Sequence, residues 1–289
     1  MTESAKIALA QIRPRLGDVG YNLQLHLEKI AEAKKQGAQL VVFPELGLTG
    51  YQVRDLTLDV AMSIQHKEIA KLVAASQDLD VVFSFVEESD EHLFYVTAVY
   101  ASEGSICGVH RKVYLPTYGL FDEGRYFAPG WGFHAFASRF GRVGMMICED
   151  AWHLSSPYLL SLQGVDLLIV ISASPARSVT DADRFGSHQF WRRLLETYSS
   201  LLGMHIVFVN RVGFEDGVSF FGGSGIITPD GIWDAEAPAL AETMIYGRLD
   251  PRIVRRSRYA TPILRDEKQE MVWRQLGGLL KGVGVPNET

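Results

Sequence analysis

Short apolar runs, each closed by a residue able to do chemistry, constrain this sequence more than anything else in it. Val143-Gly144-Met145-Met146-Ile147 runs into Cys148, with Glu149 and Asp150 directly after it. Leu40-Val41-Val42-Phe43-Pro44 ends on Glu45, and the segment 105–109 leaves through His110-Arg111 to Lys112. Runs this short, bounded by polar residues, read as buried strands rather than helices. That puts a thiol, a carboxylate and an ammonium at strand ends, where α/β folds build their binding crevices. One shared pocket is expected.

The surrounding pattern supplies the rest of an α/β fold. A strand over 6–11 leads to a helix over 22–36, with Leu23, Leu27, Ile30 and Ala31 on one face and Gly37 as a left-handed end, and then to a strand over 39–43. A helix over 60–75, with Ile64, Ile69, Leu72 and Val73 inward, precedes a strand over 80–86 and a hairpin of 94–101 with 105–110 around Glu103-Gly104. The second half repeats the order: 133–137, a turn at 139–141, a strand over 142–147, a helix over 157–163, a strand over 166–171, a helix over 181–202 and a strand over 206–210. A hairpin over 219–228 and a strand over 243–249 close it. Two such halves predict two sheets face to face with helices outside, a four-layer α-β-β-α sandwich. The tail from about 250 carries Arg255, Arg256 and Arg258 and few apolar anchors before Met271-Val272-Trp273, so it is expected at an interface with another copy of the chain.

Composition narrows the classes. Hydrophobic residues are 47% and charged residues 21% of the 289, and no Pro- or Ser-rich linker divides them, so a single domain over 1–289 is expected. With 28 Lys and Arg against 34 Asp and Glu, the net charge of -6 repels phosphate backbones and excludes nucleic acid as a partner class. Met1-Thr2-Glu3 leads to strand-like Ile7–Ala10 without the features of a secretion signal, and no apolar run is long enough to span a bilayer, so a cytoplasmic protein away from membranes is expected. Cys107 and Cys148 are then free thiols, Cys107 a structural one, and the sequon Asn287-Glu288-Thr289 is a chance match. The eight histidines form no metal-ligand pattern, and Gly222-Gly223-Ser224-Gly225 lacks the Lys and Thr of a phosphate loop. No metal and no organic cofactor are expected.

Taken singly, a cysteine after Met-Met-Ile is more often a small buried hydrophobe, and Glu45 and Lys112 ordinary surface charges. Their order along the chain reverses this. Val42-Phe43-Pro44-Glu45-Leu46 with Gly50-Tyr51, His110-Arg111-Lys112-Val113-Tyr114-Leu115-Pro116, and Gly144-Met145-Met146-Ile147-Cys148-Glu149-Asp150 together resemble the nitrilase superfamily of carbon-nitrogen hydrolases. Ala8-Leu9-Ala10-Gln11, Asn210-Arg211-Val212-Gly213 and Phe221-Gly222-Gly223-Ser224 extend the likeness over nearly the whole chain. The stretches 114–123 and 148–152 are most similar to the glutaminase domains of glutamine-dependent NAD synthetases.

The resemblance implies a nucleophile at Cys148, a general base and acid at Glu45, and an oxyanion-stabilising Lys112, working through a cysteinyl thioester. Glu123 matches a second glutamate that orients lysine or substrate. Tyr51, Tyr118 and Glu149, together with Ser174 in the loop 173–184, are the candidate substrate contacts. Asp150 reads as a helix cap. The expected activity is hydrolysis of a small carboxamide, with glutamine hydrolysis feeding ammonia to a separate synthetase as the alternative. Nitrile hydrolysis is weakened by Glu149 standing where true nitrilases often carry tryptophan, and a silent scaffold is disfavoured because all three reactive residue types are present. Which amide is cleaved stays open between glutamine, keto-acid ω-amides, carbamoyl amines and aliphatic amides.

Overall fold

The structure is a computed structural model that describes residues 4–177, 179–181 and 184–284. The sequon at 287–289, residues 1–3, and positions 178, 182 and 183 of the predicted loop and helix start lie outside the described residues.

Alternation along the first strand explains the layering. In Ala5–Gln11, Ile7 and Leu9 face one way and join Val42, Val82 and Val96 in a cluster shared with Met145, Ile169 and Val207 of the other sheet. Ala8 and Ala10 face the opposite way and pack with Leu23, Ile30 and Ala33 of the helix Val19–Lys35. A strand with both faces buried must be apolar at nearly every position, as this one is. The result is two mixed six-stranded sheets, face to face, with helices outside, the four-layer α-β-β-α sandwich.

The first sheet runs Thr243–Leu249, Ala5–Gln11, Leu40–Val42, Asp80–Glu88, Phe94–Ser102, Ser105–Arg111. The second runs Trp233–Glu236, Gly225–Ile227, His205–Asn210, Leu167–Ser172, Gly141–Ile147, Phe136–Ser138. Leu40–Val42 is parallel to both neighbours, and so is Leu167–Ser172. Parallel pairing brings the carboxyl ends of the central strands to one edge of each sheet, where Glu45 and Cys148 follow Leu40–Val42 and Gly141–Ile147, while Lys112 follows the edge strand Ser105–Arg111.

Several predicted elements differ from those observed. The helix over 60–75 is two pieces, Thr57–Val60 and Lys67–Ala75, because Met62 pairs with the strand Asp80–Glu88: its N–H donates to Val86 O and its carbonyl accepts from Glu88 N. The long helix begins at Gly186 rather than 181, since Arg184–Phe185 pairs with Val179–Asp181. Residues 219–228 are not one hairpin. Val212–Glu215 pairs with Val218–Phe221 around Asp216-Gly217, both at positive φ, and Gly225–Ile227 then joins the second sheet. The tail is docked at its start, where Val254 of the helix Pro251–Ala260 is buried and the Arg258 guanidinium reaches Asp166 Oδ1 at 2.9 Å and Val165 O at 2.6 Å. Among the described residues no helix is long and apolar enough to cross a membrane.

One buried ring props the turn that carries Glu45. His26 of the helix Val19–Lys35 stacks on Phe43 with centroids 4.1 Å apart, and a Cβ at Gly47 would stand 2.9 Å from its Nε2. Burial pushes this imidazole down to about 4, against the hydrogen bond to Asn22 O. Between an ordinary 6.5 and that value the unfolded chain takes up a proton here that the folded chain refuses. Stability is therefore full above that window and falls through it on acidification, by about 3 kcal/mol from this residue. Urea unfolding measured from neutral to acid pH should show this slope, and His26→Leu should flatten it.

Candidate active site

Lys112 leaves the edge strand Ser105–Arg111 and turns its ammonium into the gap between the sheets, where it is 1% exposed. Its Nζ donates to Glu45 Oε1 at 2.7 Å and to Glu123 Oε1 at 2.7 Å. Both carboxylates are buried. Burial opposes the ammonium charge, yet Glu123 and Glu45 hold Lys112 well above the usual ammonium range. An ammonium has three donors, so one N–H remains for a further partner. Glu45 Oε2 accepts from the backbone N–H of Ala173 at 2.7 Å, a bond that crosses from the first sheet to the second.

Cys148 closes the strand Gly141–Ile147 and begins the short 3-10 turn Cys148–Trp152. It takes φ of 45°, in the left-handed region, where a side chain costs roughly 1–2 kcal/mol. Asp150 holds that turn: its Oδ2 accepts from Ile147 N at 2.9 Å, which is the capping role, and its Oδ1 accepts from Val113 N and Tyr114 N at 3.0 Å each. One carboxylate thus ties the nucleophile's turn to the segment after Lys112. His110 Nε2 lies 2.8 Å from Asp150 Oδ2 and belongs to the same brace.

Ser172 Oγ donates to Cys148 Sγ at 3.3 Å. Burial and then Glu45 push the thiol far above its ordinary range, while Lys112 and Ser172 pull it down. The net direction is upward, so the thiol is protonated at rest and needs a base at the moment of attack rather than a standing thiolate. Burial raises Glu123 to about 7, with Lys112 opposing and Glu45 reinforcing.

Cys148 lines a cavity of about 120 Å³ with Tyr118, Glu149 and Ser174, so three of the four predicted substrate contacts share it. The Tyr118 hydroxyl donates to both Glu149 oxygens, at 3.0 and 2.9 Å. Ser174 is held by its N–H on Asn210 Oδ1 and by Trp191 Nε1 on its Oγ, both bonds drawing it toward the wall. Tyr51 lies elsewhere, lining an adjoining cavity of about 290 Å³, and its hydroxyl donates to Glu123 Oε1 at 2.6 Å. Arg177 also lines the thiol cavity, its guanidinium carbon 4.8 Å from the Phe121 ring centre, and its buried Nη2 has no hydrogen-bond partner among the described residues. No sequence signal marked Arg177, Ser172 or the Ala173 N–H: a lone arginine in a loop, a serine ending a strand and a backbone donor have no distinctive spacing. Among the described residues no cluster of His, Cys, Asp and Glu could hold a metal ion.

Residues 6–259 match the family model for carbon-nitrogen hydrolases. The chain belongs to the carbon-nitrogen hydrolase family. This hydrolase is 36% identical over 248 residues to the glutamine-dependent NAD(+) synthetase of Acinetobacter baylyi, covering 86% of this chain and 44% of that protein. The chain thus spans about half the length of the synthetases it matches. It is 26% identical to the N-carbamoylputrescine amidase of Arabidopsis thaliana, over 88% of this chain and 89% of that one. The crystal structure of a carbon-nitrogen hydrolase from Helicobacter pylori superposes with a TM-score of 0.84 at 25% identity, covering 95% of this chain and 99% of that one. Fold and reaction class, hydrolysis of carbon-nitrogen bonds, agree with the reading of the sequence.

The Ser172 hydroxyl should make Cys148 more reactive. Ser172→Ala is expected to slow its alkylation by iodoacetamide at pH 8 about tenfold, the effect of one hydrogen bond to a charged group. Intact mass against time measures it.

Proposed function

We propose that this hydrolase releases ammonia from a small ω-carboxamide whose far end carries an α-amino acid, glutamine being the simplest, with Glu45, Lys112 and Cys148 as its catalytic residues. One observation carries the choice of substrate: Arg177, which lines the thiol cavity, has a guanidinium N–H without a partner among the described residues, and a carboxylate, Glu149, lines the same cavity. A carboxylate and an ammonium on one substrate complement that pair. The relatedness to glutamine-dependent NAD(+) synthetases supports the same reading.

In the proposed cycle Glu45 takes the thiol proton as Cys148 sulfur bonds to the amide carbon. The carbonyl electron pair moves to oxygen, and the remaining N–H of Lys112, with backbone donors beside Cys148, stabilises that charge. Glu45 returns the proton to nitrogen, the C–N bond breaks and ammonia leaves a thioester. Glu45 then removes a proton from water, hydroxide adds to the thioester, and the acid departs with the thiol restored. The buried, protonated thiol and the Glu45 contacts to Lys112 and Ala173 N–H support this order of proton transfers. Every atom comes from enzyme, amide or water. A free catalytic thiol also supports a reducing, cytoplasmic setting.

A second reading, that a separate synthetase consumes the ammonia, draws on the same relatedness to glutamine-dependent NAD(+) synthetases. The C-terminal segment from 250 is assigned to contact with a second copy of the chain. Trp273, Leu276 and Leu280 fall at helical spacing on Gln269–Gly284 and are 74%, 55% and 73% exposed.

Ammonia release from glutamine, a keto-acid ω-amide, a carbamoyl amine and acetamide tests the substrate. The expected result is preference for glutamine, an acyl adduct seen by intact mass on wild type, and neither adduct nor ammonia with Cys148→Ala. Arg177→Ala should raise KM for glutamine about a hundredfold while leaving acetamide unchanged. Equal turnover of acetamide and glutamine by wild type overturns the amino-acid reading. Sedimentation should give a dimer of the 32.2 kDa chain that Trp273→Glu with Leu280→Glu dissociates.

A further inference from the structure

The hairpin Val212–Glu215 with Val218–Phe221 belongs to neither large sheet, and it carries a buried carboxylate that the reaction above does not use. Glu215 Oε1 accepts from the backbone N–H groups of Tyr51 and Gln52, at 2.8 Å each. Its Oε2 accepts from Arg211 Nη1 at 2.6 Å. Arg211 is fully buried, its guanidinium carbon 4.3 Å from the centre of the Phe220 ring, and Phe220 meets the Tyr51 ring edge-on at 5.9 Å. Backbone and ring of Tyr51 are therefore gripped by the same ion pair. Its hydroxyl ends on Glu123 Oε1, the oxygen that also accepts from Lys112.

A buried ion pair is a poor way to gain stability, since an apolar pair of equal volume serves as well or better. This one is also incompletely satisfied: Nε and Nη2 of Arg211 have no hydrogen-bond partner among the described residues. What the pair does achieve is direction. Gly50, at φ of 80°, passes so close that a Cβ would stand 3.1 Å from Glu215 Oε2 and 2.7 Å from Leu16 Cα. The peptide before Tyr51 is thus pressed against the carboxylate that fixes it.

We propose that Glu215 is a positioning residue of this hydrolase, setting the Tyr51 hydroxyl against Glu123 and thereby the place of Glu123 beside Lys112. The inference rests on the amidase reading for its consequence but on the contacts alone for its geometry. Glu123 is faced by Lys112, Glu45, Tyr51, Cys148 and Glu149, and of these the Tyr51 hydroxyl is the one whose place Glu215 sets. The hydrogen bond from Tyr51 helps hold Glu123 ionised, so its loss moves the titration of Glu123, near 7, upward.

The test uses the full chain as wild type, Tyr51→Phe, Glu215→Gln and the double variant, each checked for folding by circular dichroism and melting. The pH profile of Cys148 alkylation by iodoacetamide and that of kcat with glutamine are recorded. Both single variants should displace the inflection near neutrality upward by about half a unit, with kcat down about tenfold and KM within about twofold. The double variant should go no further than Tyr51→Phe. A folded Glu215→Gln with the wild-type profile and kcat, or additive effects in the double variant, overturns the proposal. Should Glu215→Gln fail to fold, Glu215→Asp, which keeps the charge but draws the carboxylate back from the Tyr51 and Gln52 N–H groups, must displace the profile in the same direction, and a wild-type profile there counts against the proposal equally. The alkylation profile needs no turnover: a wild type that releases no ammonia removes the amidase reading, while a shifted alkylation profile still upholds the positioning.

Discussion

A buried ammonium held between two buried carboxylates is the constraint on which this molecule turns. Lys112 is reached by Glu45 from one side and Glu123 from the other, at 2.7 Å each, and all three are removed from water. Deleting Lys112 leaves two buried carboxylates without their cation, which costs several kcal/mol. The chain accepts that risk at the point where its two sheets meet. Glu45 also receives the Ala173 N–H from the second sheet, so bringing the sheets together and assembling the charged cluster are one event.

The nucleophile is placed by equally costly means. Cys148 adopts a left-handed backbone, and Asp150 offsets that strain by accepting four bonds, from Ile147 N, Val113 N, Tyr114 N and His110. Those partners lie on either side of Lys112 and immediately before Cys148. The carboxylate therefore sets the distance between amine and sulfur without touching substrate. Glu215 stands in the same relation to Tyr51 and Glu123, through the small hairpin that sits outside both sheets. Buried carboxylates on backbone N–H groups are stiff fixings, because each bond is charge-assisted and shielded from water.

Much of this could be read from the linear chain. Short apolar runs gave the central strands, and their positions in the first half held to within a few residues, because burial on both sides leaves little freedom of residue type. Errors fell where long-range pairing overrode local preference. Met62 interrupts a helical pattern because a strand neighbour takes its N–H and carbonyl, and Asp216-Gly217 turns a hairpin that competing glycines at 222–223 obscured. At the site, Glu45, Lys112 and Cys148 were legible because each closes or follows an apolar run, and Glu123 through the family resemblance, whereas Ser172, Arg177 and Glu215 had no such mark. Tyr51, a candidate substrate contact, donates to Glu123 and lines the adjoining cavity.

Sequence by itself determined which residue types end the strands, hence that a thiol, an amine and carboxylates would come to one edge, and with it the family and the class of bond attacked. Only the tertiary structure decided the state in which they meet: a thiol kept protonated by burial, an ammonium kept charged by two carboxylates, and a buried guanidinium N–H on Arg177 without a partner among the described residues. The reason is physical. Side-chain periodicity reports which face of an element is buried, but protonation and pairing depend on solvent exclusion and on distances between residues far apart in the chain, which exist only once the two sheets have closed.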